Sequence, residues 1–241
     1  MARFDAVLLD YGNTVVEFDR PQLQWIHVQM AEFLSDAVAP VDASTLGSVM
    51  DATCILPPLS EGMREFTPLE QMERILQKTY GRPFRTTDRV VIAADCRCQE
   101  LFVASIEIDQ SAAEAVRGLS RRVPVGLVSN YPCGDAVRRS LSSIGLADQF
   151  DPIVISGEVG FVKPHSKVFQ VALEGLAIGA ERVLFAGDDW NNDMVGAHAA
   201  GMATCQYLGH TSDLDLEQRY RSYRPDFSIH HLAELTEILT G

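Results

Sequence analysis

Residues 6–14, AVLLDYGNT, place a carboxylate between an apolar run and a turn. Asp10 directly follows the apolar run Ala6–Leu9, and Gly12-Asn13 breaks the chain just beyond it. This pattern predicts a buried parallel strand that carries Asp10 to the carboxyl edge of a sheet, where open α/β sheets bind ligands. A carboxylate held at that edge can act as a nucleophile.

Polar side chains follow later predicted strands as well. They are Ser129-Asn130, Lys163, and the acidic residues Asp188, Asp189 and Asp193 of the segment GDDWNND. In an α/β sheet the strand ends converge on one crevice, so Asp10 and Asp188 would repel each other and raise each other's pKa. A divalent hard cation and a lysine would offset that repulsion. The pattern therefore predicts Mg²⁺ beside Lys163.

Alternating strands and helices predict the fold class. The predicted strands are Ala6–Leu9, Val123–Val128, Ile153–Ile155, Val183–Ala186, Ala203–Leu208 and Phe227–Ile229. Stretches of helical period lie between most of them. Ser111-x-x-Glu114 is a capping box that opens one helix, and Gly201 marks the end of another over Asn192–Ala200. The alternation is typical of an α/β fold with a doubly wound, Rossmann-like parallel sheet.

The stretch between the first two strands is too long for one crossover helix. It contains helical patterns over Leu23–Ala37, over Leu69–Leu76 after the start signal Thr67-Pro68-x-Glu70, and over Thr87–Ala104. We therefore expect an all-α cap domain inserted into the core, which covers the sheet edge. The predicted boundaries are 1–18 and 109–241 for the α/β core and 19–108 for the cap.

Charge and composition exclude some partners. Twenty Lys and Arg against 33 Asp and Glu give a formal net charge of −13, which repels a nucleic acid backbone. The five cysteines are irregularly spaced and predict reduced thiols, as in a cytoplasmic protein. No signal peptide, membrane span or membrane partner is expected. A monomer and a homodimer are equally compatible with the sequence.

Four motifs in this order resemble the haloacid dehalogenase-like (HAD) hydrolase superfamily over nearly the whole chain. They are D-x-x-x-T at Asp10–Thr14, S-N at Ser129-Asn130, K-P at Lys163-Pro164 and G-D-x-x-x-x-D at Gly187–Asp193. The resemblance implies a Mg²⁺-dependent phosphatase that hydrolyses a small phosphorylated metabolite. Asp10 would attack phosphorus to form an aspartyl-phosphate, which water then hydrolyses.

The resemblance also implies roles for individual residues. The catalytic residues would be Asp10, Lys163 and Ser129, and the substrate-binding residues Ser129, the backbone N–H of Asn130, Lys163 and Gly12. The metal would be held by the Asp10 carboxylate, the Gly12 carbonyl and Asp188, with Asp193 either binding it through water or orienting Lys163. Asp189 has two open interpretations, a direct metal ligand or a helix cap.

Gly12 departs from the family pattern. Phosphatases of this superfamily usually have a second aspartate there, which protonates the leaving group and later deprotonates water. Losing such a group costs on the order of 10²–10⁴-fold in rate. Either the leaving group departs easily, as it does from acyl, anomeric and aryl phosphates, or Glu17, Asp19 or a cap residue takes the place of the missing aspartate. Three alternatives to a phosphatase remain. One is a 2-haloacid dehalogenase-type hydrolase in which Asp10 attacks carbon, and another is a catalytically weak protein that binds a phosphorylated ligand. The third is phosphonate or mutase chemistry.

Overall fold

A six-stranded parallel sheet forms the centre of the core, in the strand order β3-β2-β1-β4-β5-β6. The computed structural model describes residues 3–54, 62–209 and 223–240. Its strands are β1 (Ala6–Leu9), β2 (Val125–Ser129), β3 (Ile153–Ile155), β4 (Val183–Gly187), β5 (Ala203–Tyr207) and β6 (Phe227–Ile229). This is the doubly wound order, and the sequence predicted all six strands with only small shifts at their ends.

Strand β1 lies at the middle of the sheet and is buried on both faces. Ala6 and Leu8 belong to the hydrophobic cluster on one face, while Val7 and Leu9 belong to the cluster on the other. Burial on both faces explains the uninterrupted apolar run, since a half-exposed strand would alternate with polar residues. Leu9 pairs with Leu127 of β2 and Ala186 of β4, so residue 10 emerges between the ends of those strands.

Four helices between β1 and β2 form the inserted cap. They are α1 (Arg20–Ala37), α2 (Ala43–Cys54), α3 (Pro68–Tyr80) and α4 (Arg89–Ser105). They share a hydrophobic cluster of their own, which includes Met30, Leu46 and Ile75. An all-α insertion is therefore present. The domain boundaries at 18/19 and 108/109 stay a prediction, because Phe18 packs against both the cap cluster and the core cluster.

Helix α2 was missing from the sequence prediction. Its sequence, ASTLGSVMDATC, is rich in small residues and buries only Leu46, Gly47, Met50 and Thr53. A cap signal does precede it, since the Asp42 carboxylate accepts hydrogen bonds from the Thr45 backbone N–H at 2.8 Å and from its hydroxyl at 2.6 Å. Such a cap is typical of a helix start.

The core helices cover the two faces of the sheet. They are α5 (Gln110–Ser120), α6 (Gly134–Ser143), α7 (Ser156–Val159), α8 (Ser166–Leu176), α9 (Gly196–Ala199) and α10 (Leu235–Thr240). Helices α5, α6 and α10 pack on one face, whereas α8 and a turn of π-helix at Trp190–Val195 pack on the other. No helix in the described ranges is both long enough and apolar enough to cross a membrane.

The ends of two core helices test the predicted start and stop signals. The predicted capping box at Ser111 is wrong, because α5 begins earlier and Asp109 is its N-cap. The Asp109 carboxylate accepts from the backbone N–H groups of Ser111, at 2.8 Å, and Ala112, at 3.3 Å. Gly201, with φ +83°, ends the segment after α9 as predicted, since that backbone conformation favours glycine.

Candidate active site

The candidate active site lies where β1, β2 and β4 end. Asp10 follows β1, Ser129 is the last residue of β2, and Asp188 follows β4. These residues line one cavity of about 310 Å³, which we call the charged cavity. Its wall also includes the other predicted site residues, Gly12, Asn130, Lys163 and Asp193. The structure therefore brings together all seven residues to which the motifs assign a catalytic, substrate-binding or metal-binding role.

Lys163 connects the carboxylates at the bottom of the charged cavity. Its Nζ donates hydrogen bonds to Oδ1 of Asp10, to Oδ1 of Asp193 at 2.7 Å and to the carbonyl oxygen of Val128 at 3.0 Å. Its side chain is buried. Burial disfavours the charged form, but Asp10 and Asp193 raise the pKa of Lys163 above its ordinary value. The ammonium group is therefore charged, and it fixes one oxygen of Asp10 in place.

The side chain of Asn130 holds the Lys163 segment against the end of β2. Its Oδ1 accepts from the backbone N–H of Lys163 at 2.7 Å, and its Nδ2 donates to the Lys163 carbonyl at 3.2 Å. The predicted role of Asn130 was limited to its backbone N–H, in substrate binding. The side chain has a second role in positioning Lys163, which the S-N motif alone does not indicate.

Three carboxylates in the charged cavity form a candidate metal site. Asp10, Asp188 and Asp193 each offer an oxygen within 4.8 Å of the others. Burial, and next the charge of Asp10, raises the pKa of Asp188 to about 7. Burial also raises the pKa of Asp193. Three acids facing the single ammonium of Lys163 leave excess negative charge, and oxygen ligands of this type suit a hard divalent cation. The site fits Mg²⁺.

Gly187 leaves the space that Asp193 occupies. A Cβ atom at residue 187 would lie 2.3 Å from Oδ2 of Asp193, far inside contact distance. The same Oδ2 accepts a hydrogen bond from the Asp189 backbone N–H at 3.1 Å. The glycine of the G-D motif thus allows a buried carboxylate to reach Lys163 from the following helical turn.

Asp189 caps the π-helical turn that carries Asp193. Its Oδ1 accepts from the backbone N–H groups of Asn191 at 2.8 Å and Asn192 at 2.9 Å, and its Oδ2 accepts from Nδ2 of Asn192 at 2.8 Å. Of the two interpretations of Asp189, the structure shows the cap. Both of its carboxylate oxygens accept hydrogen bonds within the turn, and Asp189 is not one of the three clustered acids.

Neither acidic residue proposed to replace the missing aspartate lines the charged cavity. Asp19 is the N-cap of α1, and its carboxylate accepts from the Arg20 backbone N–H at 2.7 Å. Glu17 is exposed, and its backbone forms a bridge with Glu107. Both residues therefore serve the junction between core and cap. The structure offers no support for either of them as an acid or base.

A second, larger cavity of about 760 Å³ adjoins the charged cavity, and we call it the apolar cavity. It lies between cap and core, with Ile26 and Met50 on the cap side and Val162 and Val195 on the core side. The walls of the two cavities share six residues, Phe18, Phe102, Asn130, Tyr131, Asp189 and Asn192. A ligand with its reacting group in the charged cavity would extend into the apolar one.

Comparisons with known proteins agree with this geometry. The chain is 34% identical over 131 residues to pyrimidine 5'-nucleotidase YjjG of Escherichia coli (strain K12), an overlap of 54% of each protein. It is 34% identical over 113 residues to phosphoglycolate phosphatase of Yersinia pseudotuberculosis serotype I (strain IP32953), 47% of each. The chain thus spans about half the length of the curated relatives it matches.

Structural and family comparisons cover more of the chain. The crystal structure of 2-haloacid dehalogenase from Pseudomonas syringae pv. Tomato DC3000 superimposes with a TM-score of 0.73, covering 98% of both chains at 21% identity, which shows a shared fold. The family model for haloacid dehalogenase-like hydrolases matches residues 4–201, a range that contains the whole charged cavity. This chain therefore belongs to the haloacid dehalogenase-like hydrolase family.

Proposed function

We propose that the protein is a Mg²⁺-dependent phosphatase that hydrolyses a small phosphorylated metabolite through an aspartyl-phosphate on Asp10. The observation that carries the proposal is the meeting of Asp10, Asp188 and Asp193 with Lys163 in one cavity at the strand ends. The relatives named a nucleotidase and a phosphoglycolate phosphatase support phosphate esters as substrates.

The metal ligands we propose are the carboxylates of Asp10 and Asp188 and the backbone carbonyl of Gly12. Asp193 bonds to Lys163 through Oδ1, and its Oδ2 accepts from the Asp189 backbone N–H, so Asp193 would bind the metal through water or orient Lys163. A bound Mg²⁺ would neutralise charge on the phosphoryl oxygens. The remaining work, which is to position the phosphoryl group and the nucleophile, falls to the side chains of this chain.

In the first step, Asp10 attacks phosphorus. Lys163 holds Oδ1 of Asp10, which leaves Oδ2 as the attacking oxygen. As the new O–P bond forms, the ester P–O bond breaks, and the leaving oxygen departs with the electron pair. The Ser129 hydroxyl and the backbone N–H of Asn130 would donate hydrogen bonds to phosphoryl oxygens, while Lys163 stabilises their charge.

In the second step, water attacks the same phosphorus. As the new O–P bond forms, the bond between phosphorus and the Asp10 oxygen breaks, so the Asp10 carboxylate is restored and the product leaves as phosphate that carries the protons of the water. A carboxylic acid at residue 12 would assist both steps, and glycine stands there instead. Since neither Glu17 nor Asp19 reaches the charged cavity, the substrates that suit this site best release a stable anion, as acyl, anomeric and aryl phosphates do.

Gly12 also favours a second candidate function, that of a 2-haloacid dehalogenase. In that reaction Asp10 would attack carbon and displace halide from a substrate that carries a carboxylate. A carboxylate needs a cationic partner when it is buried. Among the described residues of both cavity walls, the ammonium of Lys163 is the only Lys or Arg group, and it is already bonded to Asp10 and Asp193. The charge balance therefore favours the phosphatase.

A single screen separates these functions. Phosphate release is measured over sugar, nucleotide, acyl and aryl phosphates with and without Mg²⁺, beside chloride release from 2-chloropropionate. The proposal requires phosphate release that depends on the metal. Chloride release without metal would establish the dehalogenase, and no product in either assay would indicate a protein that binds phosphorylated ligands without turnover.

A further inference from the structure

The walls of the apolar cavity are mostly hydrophobic. Side chains from the cap and the core contribute to them, among them Leu23, Ile26, Met50, Phe102, Val162 and Val195. A volume of about 760 Å³ falls within the range of sites that bind whole small molecules. It far exceeds the space that a two-carbon or three-carbon leaving group needs, so the cavity suits a ring-sized group.

Aromatic side chains mark the passage between the two cavities. Phe102 and Tyr131 stack with their ring centroids 4.0 Å apart, and Phe18 meets Phe102 edge-on at 5.2 Å. All three line both cavities. A leaving group attached to a phosphoryl group in the charged cavity would pass these rings, which favour flat apolar groups over strongly hydrated ones.

Apart from His27, the polar groups of the apolar cavity are neutral or acidic. Glu65 accepts hydrogen bonds from the Ser156 hydroxyl at 2.6 Å and from Nε2 of Gln71 at 3.2 Å. Gln99 accepts from the Tyr131 hydroxyl at 3.0 Å. These groups already have partners within the protein, so they position a ligand weakly.

The basic group in this wall is a histidine with an acidic partner. Nε2 of His27 lies 3.3 Å from Oδ1 of Asp51, and burial lowers the pKa of His27 despite that neighbour. Within the described residues that line the apolar cavity there is no lysine or arginine. An anionic group that entered this space would lose its hydration without gaining a counter-charge.

We propose that the leaving group of the substrate is an uncharged, ring-sized apolar group that occupies the apolar cavity. The enzyme would then reject phosphate esters whose leaving group carries a carboxylate or a second phosphate. This inference rests on the proposed phosphatase function and names the substrate class of the same site. Size and charge together exclude phosphorylated hydroxy acids and bisphosphates as good substrates.

A matched pair of aryl phosphates tests the charge selection. The two are the phosphate esters of 3-(4-hydroxyphenyl)propanamide and of 3-(4-hydroxyphenyl)propanoic acid, which have nearly the same shape and phenol acidity. We expect kcat/KM for the amide to exceed that for the acid at least about tenfold, since an unpaired buried charge is costly. Calorimetry without metal provides a second readout, in which the free phenol amide binds at least about tenfold more tightly than the free acid.

A cation placed in the cavity wall should reverse this preference. Leu23 lines the apolar cavity and is only half-buried, so Leu23→Arg can be accommodated there, and Leu23→Gln is the matched control without charge. We expect Leu23→Arg to reduce the amide-to-acid ratio to less than about threefold, because a counter-charge repays the desolvation of the acid. Leu23→Gln should keep the wild-type ratio.

Acetyl phosphate, whose leaving group is too small to use the apolar cavity, reports on the phosphatase function separately. If acetyl phosphate is hydrolysed with Mg²⁺ but the acid ester is turned over as well as the amide, the substrate inference is wrong and the proposed function stands. Hydrolysis of acetyl phosphate with no turnover of either aryl ester likewise overturns the inference. If none of the three is hydrolysed, the proposed function fails and the inference fails with it.

Discussion

The charged cavity and the apolar cavity share part of one wall but differ in almost every physical property. The charged cavity holds three carboxylates within 4.8 Å of one another around a buried lysine. The apolar cavity has more than twice the volume and no lysine or arginine among its described lining residues. The core supplies most of the first, whereas cap helices supply much of the second.

Under the proposed function, the charged cavity would carry out the chemical step and the apolar cavity would select the substrate. The residues of the charged cavity lie at the ends of buried strands, whose positions are fixed by packing on both faces of the sheet. About half of the residues that line the apolar cavity belong to the inserted cap, whose helices pack around a separate hydrophobic cluster. The cap can therefore change in sequence without disturbing Asp10 and Lys163, so its side chains can determine which ester enters.

The largest effect should come from Asp10→Asn, which removes the proposed nucleophile from the charged cavity. We expect kcat on acetyl phosphate to fall at least about 10⁴-fold, as loss of a nucleophile does in other hydrolases. Binding of the free phenol amide in the apolar cavity should not change. The matched control is Asp5→Asn at the opposite end of β1, where the partner of the exposed carboxylate among the described residues is Arg182. Equal activity of Asp10→Asn and Asp5→Asn would remove the basis for the proposed chemistry.

Gly12→Asp should add the missing acid to the charged cavity. The backbone of residue 12 is outside the left-handed region, and a Cβ there would meet its nearest neighbour, Cβ of Phe18, at an ordinary 3.8 Å. The aspartate therefore fits, and we expect kcat/KM on a simple alkyl phosphate to rise at least about tenfold. The assay compares alkyl and aryl phosphates, with Gly12→Asn as the control of equal size. An equal gain in both variants would mean that proton transfer is not what the site lacks.

Gly187→Ala should disturb the charged cavity by sterics alone. The new methyl group would overlap with Asp193, and moving that carboxylate breaks its contact with Lys163. We expect the free energy of unfolding, measured in urea, to fall by about 1–3 kcal/mol, together with a loss of phosphatase activity. Gly118→Ala in α5 is the control, because nothing lies within 4 Å of its Cβ position. That variant should gain about 0.5–1 kcal/mol, and a similar loss in both would refute the assigned role of Gly187.

The smallest effect should come from Asn130→Asp at the shared wall of the two cavities. The acid replaces the Nδ2 donor with an oxygen that faces the Lys163 carbonyl. We expect a loss of about 0.5–1.5 kcal/mol in unfolding free energy and a lower kcat, because the hydrogen bond that helps to position Lys163 is lost. The exposed Asn191→Asp serves as the control and should stay within about 0.5 kcal/mol of wild type. A variant with full stability but raised KM would instead indicate that the Asn130 side chain binds substrate.

The sequence predicted the charged cavity far better than the apolar one. Asp10 and Asp188 each follow an apolar run, and parallel strands bring their ends to one edge, so local patterns were enough. The side-chain bonds of Asn130 to Lys163 join residues far apart in the chain, and no local signal predicts them. The apolar cavity depends on how cap helices pack on the core, and it includes residues of α2, a helix that the sequence analysis missed.

The predicted N-cap of helix α3 is confirmed, whereas the predicted N-cap of helix α5, where two residues compete for the position, is wrong. Thr67 and Glu70 form the expected reciprocal hydrogen bonds at the start of α3. At α5, Asp109 precedes Ser111 and accepts the first free backbone N–H groups, so the serine lies inside the helix. Asp189 presented a different choice, between a metal ligand and a helix cap, and its contacts with Asn191 and Asn192 identify it as a cap.

The most direct test of the central claim is to trap the covalent intermediate on Asp10. The protein is mixed with Mg²⁺ and acetyl phosphate, quenched in acid within the first turnovers and reduced with borohydride, which converts an aspartyl-phosphate to homoserine. Peptide mass spectrometry should then find homoserine at residue 10, and none when Mg²⁺ is withheld. Sustained phosphate release with residue 10 unmodified, or with another residue modified instead, would contradict the assignment of Asp10 as the nucleophile.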